Sequence, residues 1–265
     1  MPRYDFRSPR LYFDVPLGSG AHLPLDAQQA NYLRNVLRLK GGEAVLVFNG
    51  REGEWRATLA DGGKRALSLV IAERTREQTP VLDLDYVFAP LKHARLDYMV
   101  QKAVEMGAAR LQPVLTRHTQ VARVNLERMQ ANAVEAAEQC GILTLPEIAA
   151  PVTLDRMIAA RDPARLLVFC DEDADVTDPV AALTAARTGR GSGPMPLAVL
   201  VGPEGGFAAD ERATLRKLPN TVRLALGPRI LRADTAAVAA LALVEAVLGD
   251  WSAEAAAFNM VNESH

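Results

Sequence analysis

A loop rich in glycine and proline near the end of the chain has the residue types of a ligand-binding loop. Residues 201–207 read Val-Gly-Pro-Glu-Gly-Gly-Phe, between an apolar run and a helical pattern. Glycine lets a ligand approach the backbone closely, and proline stiffens the loop. The loop lacks the Gly-Lys-Ser/Thr ending of a phosphate loop and the Gly-x-Gly-x-x-Gly of a dinucleotide site. Taken alone, it could equally be a tight strand-to-helix turn.

A second loop of the same kind follows closely along the chain. Residues 224–236 read Leu-Ala-Leu-Gly-Pro-Arg-Ile-Leu-Arg-Ala-Asp-Thr-Ala. The apolar side chains of Leu226, Ile230 and Leu231 could line a pocket, beside the polar groups of Arg232 and Asp234. The alternative is a surface ion pair between Arg232 and Asp234, with Asp234 or Thr235 capping the next helix.

Both loops follow predicted strands of an α/β domain. From residue 82 onward, apolar runs alternate with amphipathic stretches, which is typical of a mainly parallel sheet covered on both faces. The predicted strands are 82–89, 111–115, 166–170, 198–201 and 222–226, and the predicted helices are 96–106, 126–139, 154–160, 209–218 and 235–248. Ligands bind such sheets beyond the carboxyl ends of the strands, where both loops lie.

The first part of the chain has a different pattern. Alternation and turn signals predict strands over 10–15, 44–49, 54–60 and 66–72, with a helix over 26–37 that Asp26 caps. This pattern fits a small β-barrel. A polar stretch ending in Pro80 marks the boundary, so we expect domains at 1–75 and 76–250, a flexible loop over 188–196 and a tail over 251–265.

Composition and cysteine usage exclude several classes of protein. The chain has 265 residues, 49% hydrophobic and 23% charged, as in globular proteins. It has neither a signal-like start nor an apolar run long enough for a bilayer, so we expect a cytoplasmic protein without a membrane partner. Cys140 and Cys170 stand apart without a Cys/His grouping, so we expect two buried thiols, no disulfide and no metal site.

Positive charge is local in this chain. The net charge is −2, but residues 1–80 carry 12 Lys/Arg against 9 Asp/Glu. Residues 92–123 also carry six basic side chains against Asp97 and Glu105. A local patch is enough for phosphate contact, because a charge acts over about one Debye length, roughly 8–10 Å. A solvated helix face explains this stretch equally well.

Several motifs in order along the chain resemble one family. The stretches that carry the resemblance are residues 101–107 (Gln-Lys-Ala-Val-Glu-Met-Gly), 116–118 (Thr-Arg-His), 135–141 (Glu-Ala-Ala-Glu-Gln-Cys-Gly), 145–146, 201–207 and 226–236. Together they resemble the RsmE family of the SPOUT methyltransferase superfamily. The resemblance covers nearly the whole chain and is weakest over 161–196.

The resemblance implies a fold and an activity. It implies a C-terminal SPOUT α/β domain with a deep trefoil knot, preceded by a PUA-like β-barrel that binds RNA. It further implies a homodimer that uses S-adenosylmethionine (SAM) to methylate N3 of one uridine in the decoding region of 16S rRNA, within the 30S subunit. No metal is needed, since the SAM methyl group is already activated.

The resemblance and the residue types together assign roles to three sets of side chains. The cofactor contacts are expected from Val201, Gly202, Pro203, Glu204, Gly205, Gly206, Leu224, Leu226, Gly227, Ile230, Leu231, Thr235 and Ala236. Arg232 is expected to orient the uracil, and Glu204 and Glu138 are candidate proton acceptors. The candidate RNA contacts are Arg7, Arg10, Arg34, Lys92, Arg95, Lys102 and Arg117. Trp251, Phe258 and Met260 are candidate dimer contacts, or they cover their own domain.

Two positions depart from the family pattern, and two other functions stay open. Ile142 stands where the family usually has arginine, and Asp234 where glutamate is more usual. The first change removes a candidate RNA contact, whereas the second keeps the charge. The alternatives are another SPOUT reaction, such as ribose 2′-O methylation, and an RNA-binding ribosome-assembly factor that has lost the chemistry.

Overall fold

The chain folds into two compact units. The structure, a computed structural model, describes residues 5, 7–60, 67–92, 94–121, 123–175, 178–190 and 193–251. The first unit comprises Met1–Pro80 with Val134–Leu145, and the second comprises Val81–Ala133 with Pro146–His265. The domain limits expected from the sequence stay a prediction.

The first unit is built on a five-stranded sheet. Its elements are β1 Arg10–Tyr12, β2 His22–Pro24, α1 Ala27–Asn31 continuing as one π-helical turn Tyr32–Val36, β3 Ala44–Phe48, β4 Glu54–Ala60 and β5 Ser68–Arg76. The strand order is β1-β3-β4-β5-β2. Strands β1 and β3 are parallel, and the other neighbours are antiparallel.

Alternating apolar residues hold this sheet to the short helix. Val45, Val47, Leu69 and Leu33 are buried in one apolar cluster, so one face of the sheet packs on the helix. Asp26 caps the helix as predicted, because its carboxylate accepts the Gln29 amide proton at 2.7 Å.

The second unit alternates strands and helices, as the sequence predicted. Its elements are β6 Leu84–Phe88, α2 Ala94–Glu105, β7 Arg110–Leu115, α3 Leu126–Cys140, β8 Glu147–Ile148, β9 Val152–Thr153, α4 Leu154–Ala160, β10 Leu166–Cys170, α5 Pro179–Arg187, β11 Leu197–Val201, α6 Ala209–Arg216, β12 Thr221–Leu224 and α7 Ala233–Val247. Helix α3 begins in this unit, and its last residues belong to the first unit.

The strands of the second unit form a parallel sheet. The strand order is β12-β10-β11-β6-β7-β8, and β9 also pairs with β7. Every pairing between these strands is parallel. All residues of β10 and β11 are buried, because both faces of the central strands are covered. The carboxyl ends of β10, β11 and β12 therefore lie together at one edge.

The two cysteines differ in environment. Cys170 ends β10 and is buried, as predicted, whereas Cys140 ends α3 and is exposed. The prediction for Cys140 was wrong, because apolar neighbours in sequence do not show which side of a helix end a side chain occupies. No helix in the described part of the chain is both long and apolar enough to cross a bilayer.

Candidate functional site

A cavity of about 390 Å³ opens beyond the carboxyl ends of three neighbouring strands. Its wall is made by the residues that follow β10, β11 and β12, together with the first turn of α7. The lining residues are Cys170, Asp171, Glu172, Val201, Gly202, Pro203, Glu204, Gly205, Gly206, Phe207, Leu224, Ala225, Leu226, Gly227, Pro228, Arg229, Ile230, Leu231, Ala233 and Ala236. The size lies within the usual range of small-molecule sites, roughly 300–1,000 Å³.

The structure brings the two predicted loops together in this cavity. Every residue predicted to contact a cofactor lines it except Thr235. Thr235 is exposed in the first turn of α7, and its amide donates to Asp234 Oδ1 at 2.9 Å. Helix α7 begins at Ala233 with Arg232 as its N-cap, so neither Asp234 nor Thr235 caps it.

Gly202 is required by the packing of the first loop. A Cβ atom on Gly202 would lie 2.6 Å from the Phe207 ring, well inside van der Waals contact. Phe207 is 5% exposed and packs edge-on against Phe169 of β10, with ring centroids 5.1 Å apart. The absence of a side chain at Gly202 therefore lets Phe207 fold back under the loop and form part of the cavity floor.

Each of the two loops contains one glycine whose backbone is in the left-handed conformation. Gly206 has φ +69° and Gly227 has φ +90°, a conformation that glycine adopts at no steric cost. At Gly206 a Cβ atom would also lie 2.7 Å from Glu172 Oε1. The backbone of the first loop is thus packed directly against the residues that follow β10.

The carboxyl end of β10 supplies three lining residues that the sequence analysis missed. Asp171 is buried, and its Oδ2 accepts hydrogen bonds from Arg223 Nε at 3.0 Å, with Arg223 Nη2 at 2.8 Å. Its other oxygen lies 3.2 Å from Arg212 Nε. Arg212 also pairs with the adjoining Glu172. These contacts tie β10 to α6 and β12, so this wall of the cavity is rigid.

Cys170 places a thiol in the cavity wall. Burial disfavours the thiolate and raises the pKa of Cys170 to about 12. The thiol is therefore protonated at neutral pH and does not act as a nucleophile. Applying the strand-end rule to β10 as well as to the two glycine loops would have found Cys170, Asp171 and Glu172.

Glu204, a predicted proton acceptor, is paired with a basic residue. Its carboxylate accepts a hydrogen bond from Arg95 of α2, and Asp234 Oδ2 lies 4.0 Å from Arg95 Nε. Arg95 was predicted to contact RNA. Its guanidinium instead bridges a cavity loop and the start of α7, both within the second unit.

Arg232, predicted to orient the substrate, does not line the cavity but lies between two residues that do, Leu231 and Ala233. Its side chain is exposed, and its carbonyl oxygen accepts the Ala236 amide proton at 2.8 Å. The backbone at Arg232 is thus fixed by α7, while the guanidinium is accessible to a substrate.

Two predicted site residues have structural roles in the first unit. Arg10 is 7% exposed, and its Nε donates to buried Glu54 at 2.7 Å. Its Nη1 donates to the Glu138 carbonyl oxygen at 3.2 Å. The prediction that Arg10 contacts RNA phosphate therefore does not fit its position, because a guanidinium held in this way is withdrawn from solvent.

Glu138 does not line the cavity, and its carboxylate accepts the Tyr12 amide proton at 2.9 Å. Burial, opposed by the Tyr12 hydrogen bond and reinforced by Glu135, raises the pKa of Glu138 to about 7. Glu138 joins α3 to β1, so we do not carry it forward as the proton acceptor.

The remaining predicted RNA contacts fall into two groups. Arg7, Arg34 and Lys92 are exposed. Lys102 lies 2.7 Å from Glu105 and over the Tyr98 ring, and Arg117 donates to Asp210 at 2.6 Å. The Lys102 pair is half-buried, whereas the exposed Arg117 pair contributes little to stability and can exchange partners. The tail residues Phe258 and Met260 lie outside the described residues, whereas Trp251 is 55% exposed.

A shallow depression adjoins the cavity and contains a side chain with no predicted role. Pro203 and Glu204 line both, so the two concavities share one wall. The depression is also lined by Lys92, His118 and Gln120. The His118 ring makes hydrogen bonds to the carbonyl oxygens of the first loop, at 3.2 Å from Gly205 and 3.0 Å from Gly206.

Comparison with known families and curated proteins agrees with this architecture. A family model for an RNA methyltransferase domain matches residues 77–245, and one for an RNA methyltransferase PUA domain matches residues 25–72. A ribosomal RNA small subunit methyltransferase E from Rickettsia conorii is 30% identical over 236 residues, 89% of this chain and 94% of that protein. Its namesake from a Synechocystis strain is 32% identical over 231 residues, 86% of this chain and 74% of that protein.

Solved structures give the same result. A putative methyltransferase from Legionella pneumophila, in complex with bound SAM, matches with a TM-score of 0.76 and 27% identity, over 91% of this chain and 98% of that one. A SAM-bound ribosomal RNA small subunit methyltransferase E from Neisseria gonorrhoeae matches in fold, with a TM-score of 0.79 and 24% identity. This match covers 93% of this chain and 100% of that one. The predicted fold class is confirmed, and the knot stays a prediction. The chain belongs to the RNA methyltransferase family represented by ribosomal RNA small subunit methyltransferase E.

Proposed function

We propose that this chain transfers the methyl group of SAM to N3 of one uridine in the decoding region of 16S rRNA. Membership of the RNA methyltransferase family supports methyl transfer to RNA. The observation that carries the proposal is the cavity beyond β10, β11 and β12, which brings the two motif loops together at one edge of the sheet. The Legionella relative, which binds SAM, supports the choice of methyl donor.

The residues of the cavity fit SAM in shape and chemistry. Leu224, Leu226 and Phe207 supply apolar surface for an adenine ring, and glycines bring loop backbone within reach of its polar edge. Bound SAM supplies a methyl group on a positively charged sulfur. The lining carboxylates of Asp171 and Glu172 are paired with arginines, so they fix the cavity wall. The protonated Cys170 thiol does not compete for the methyl group.

The chain's own contribution is mainly positioning. Holding two reactants in line can lower a barrier by roughly 7–11 kcal/mol. The walls that hold the donor are fixed by the contacts of Asp171, Glu204 and His118. We assign Arg232, exposed beside Leu231, to orient the uracil and stabilise negative charge on its carbonyl oxygens as N3 loses a proton.

RNA and a second copy of the chain complete the proposal. A paired uridine must be flipped out to reach the donor, so an exposed cation near the cavity such as Lys92 would hold a neighbouring phosphate. Ile230 in the second loop is 96% exposed and Trp251 is 55% exposed in the single chain. Exposed large apolar side chains such as these, with Ile230 lining the cavity itself, are typical of an interface, which supports the predicted homodimer.

The test is mass mapping of methyl groups on RNA. The protein is incubated with isotope-labelled SAM and either unmethylated 30S subunits or naked 16S rRNA. In a separate measurement, light scattering gives the mass of the protein in solution, which should be twice the 28.6 kDa of one chain if the protein is a homodimer. Label on N3 of a single decoding-region uridine is the expected result. Label on a ribose oxygen or on tRNA would contradict the proposed substrate. The absence of label with SAM bound would contradict the proposed reaction and favour a binding role.

A further inference from the structure

The hydrogen bonds of His118 fix its protonation pattern. Both partners of Nδ1 are backbone carbonyl oxygens, those of Gly205 and Gly206. A carbonyl oxygen only accepts, so Nδ1 must carry the proton in these bonds. In the neutral ring the other nitrogen, Nε2, then has no proton and is an acceptor. The first loop therefore selects the form of His118 that can take up a proton at Nε2.

The turn that carries His118 is held on both sides. After β7, the Thr116 amide donates to Thr119 Oγ1 at 2.8 Å, and the Thr119 amide donates back to the Thr116 carbonyl at 3.1 Å. The neighbouring Arg117 amide donates to Glu211 of α6 at 2.8 Å. The ring is thus placed by β7, α6 and the first loop together, which is the preorganisation that a catalytic group needs.

His118 also lies next to the cavity that we propose for the methyl donor. It lines the shallow depression, which meets the cavity along Pro203 and Glu204. The depression, about 10 Å³, is too small to enclose a base, so a base would lie across its mouth with one edge toward these side chains. Its other polar lining side chains are Lys92, Gln120 and Glu204. Glu204 is bonded to Arg95, which leaves His118 as the acceptor without a cationic partner among the described lining residues.

We propose that His118 Nε2 accepts the proton from uridine N3 while Nδ1 holds the loop that binds the methyl donor. This inference rests on the proposed function. The N3–H bond breaks and its proton goes to Nε2, the N3 electron pair forms the new bond to the methyl carbon, and the carbon–sulfur pair stays on S-adenosylhomocysteine. The positive charge passes from sulfur to the imidazolium, which returns the proton to solvent.

The tautomer can be measured without any reaction. Long-range ¹H–¹⁵N spectra of the protein, with His118→Asn used for assignment, should show His118 with a protonated Nδ1 and an unprotonated Nε2 at mildly alkaline pH. The opposite tautomer, with the proton on Nε2, would overturn the proposal, because that nitrogen could then only donate.

The variant His118→Asn separates the two roles. The asparagine amide can take the place of Nδ1 and keep the bonds to the loop carbonyls, but it offers nothing at the position of Nε2. We expect an unchanged Kd for SAM by calorimetry and a kcat lower by about 10²–10⁴-fold, the usual contribution of general acid–base catalysis.

Controls make a failure of this inference distinct from a failure of the proposed function. His22→Asn makes the same change on exposed β2 and should keep the wild-type kcat. If the wild type is active and His118→Asn is equally active, the proposed role of His118 is refuted, but the proposed function is not. A lower kcat with equally weakened SAM binding would reduce His118 to a loop contact and also refute it. A wild type that does not methylate uridine N3 would refute the proposed function itself.

Discussion

Glu245 makes the stability of this protein depend on pH in a way that one substitution can remove. Its side chain lies in α7 and is 1% exposed. Oε2 accepts the Asp250 amide proton at 3.2 Å, and Oε1 has no hydrogen-bond partner among the described residues. Burial and, to a smaller extent, contact with Asp250 raise the pKa of Glu245 from an ordinary value of 4.5 to about 8. The carboxyl group is therefore protonated in the folded protein at neutral pH.

The sign of the effect follows from this raised pKa. The folded state holds the proton more tightly than the unfolded state, so the contribution to stability is full below pH 4.5 and is lost as pH rises toward about 8. At about 1.4 kcal/mol per pKa unit, a shift from 4.5 to about 8 corresponds to a loss on the order of 5 kcal/mol. Glu245→Gln removes the titration but keeps an acceptor for the Asp250 amide. Its unpaired amide protons cost about 1–3 kcal/mol at every pH.

The assay is urea unfolding of the wild type and Glu245→Gln from pH 5 to pH 9. The free energy of unfolding of the variant, minus that of the wild type, should rise by about 1.4 kcal/mol per pH unit up to pH 8 and then level off. Other titrating groups are present in both proteins and cancel in the difference. Gln130→Ala, at an exposed position of α3, changes no titratable group and should give a difference that does not change with pH. If the difference in the free energy of unfolding between Glu245→Gln and the wild type also stays constant with pH, the conclusion that Glu245 is buried and protonated is wrong.

Two further substitutions test the packing of each unit. In Gly202→Ala the new methyl group would lie 2.6 Å from the Phe207 ring, so we expect weaker SAM binding by calorimetry and a stability loss of about 1–3 kcal/mol. Gly18→Ala, which has open space around its Cβ position, is the matched control, and equal behaviour of the two would contradict the packing argument. Arg10→Met removes the closer of two cations from buried Glu54, with Arg76 remaining at 3.4 Å, so we expect a cost of about 1.5–3 kcal/mol in urea unfolding. A cost of only about 0–1 kcal/mol, as for an exposed ion pair, would show that Arg10 is not buried in solution.

Long patterned elements could be predicted from the sequence, and short ones could not. Strands β10 and β11 are continuous apolar runs because both faces are covered, so the run itself marks the strand. Strands β8 and β9 have two residues each, too few to show any period. Helix α5 was missed although Asp178 caps it and Pro179 occupies its first turn, a recognisable start signal followed by weak amphipathic character.

The site was predictable where the backbone needed special residues, and not where it needed ordinary ones. Gly202 and Gly206 mark their loop because a side chain at either position would clash. Asp171 is a common residue type, and only the packing of Arg212 and Arg223 around it shows its role. Arg10 was predicted to contact RNA because it lies in a stretch of the sequence rich in basic residues. A count of charges along the sequence does not show which arginine side chains the fold buries.

The loops around the cavity differ in the contacts by which the rest of the fold holds them. The segment after β10 is fixed by buried Asp171, and the loop after β11 by His118 and by the Glu204 pair with Arg95. The loop after β12 instead presents Ile230 almost fully to solvent. Ordering a loop on binding costs free energy, which a site that is already ordered avoids. A surface that covers Ile230 would take this apolar side chain out of water and hold the loop after β12 in place, as His118 and Arg95 hold the loop after β11.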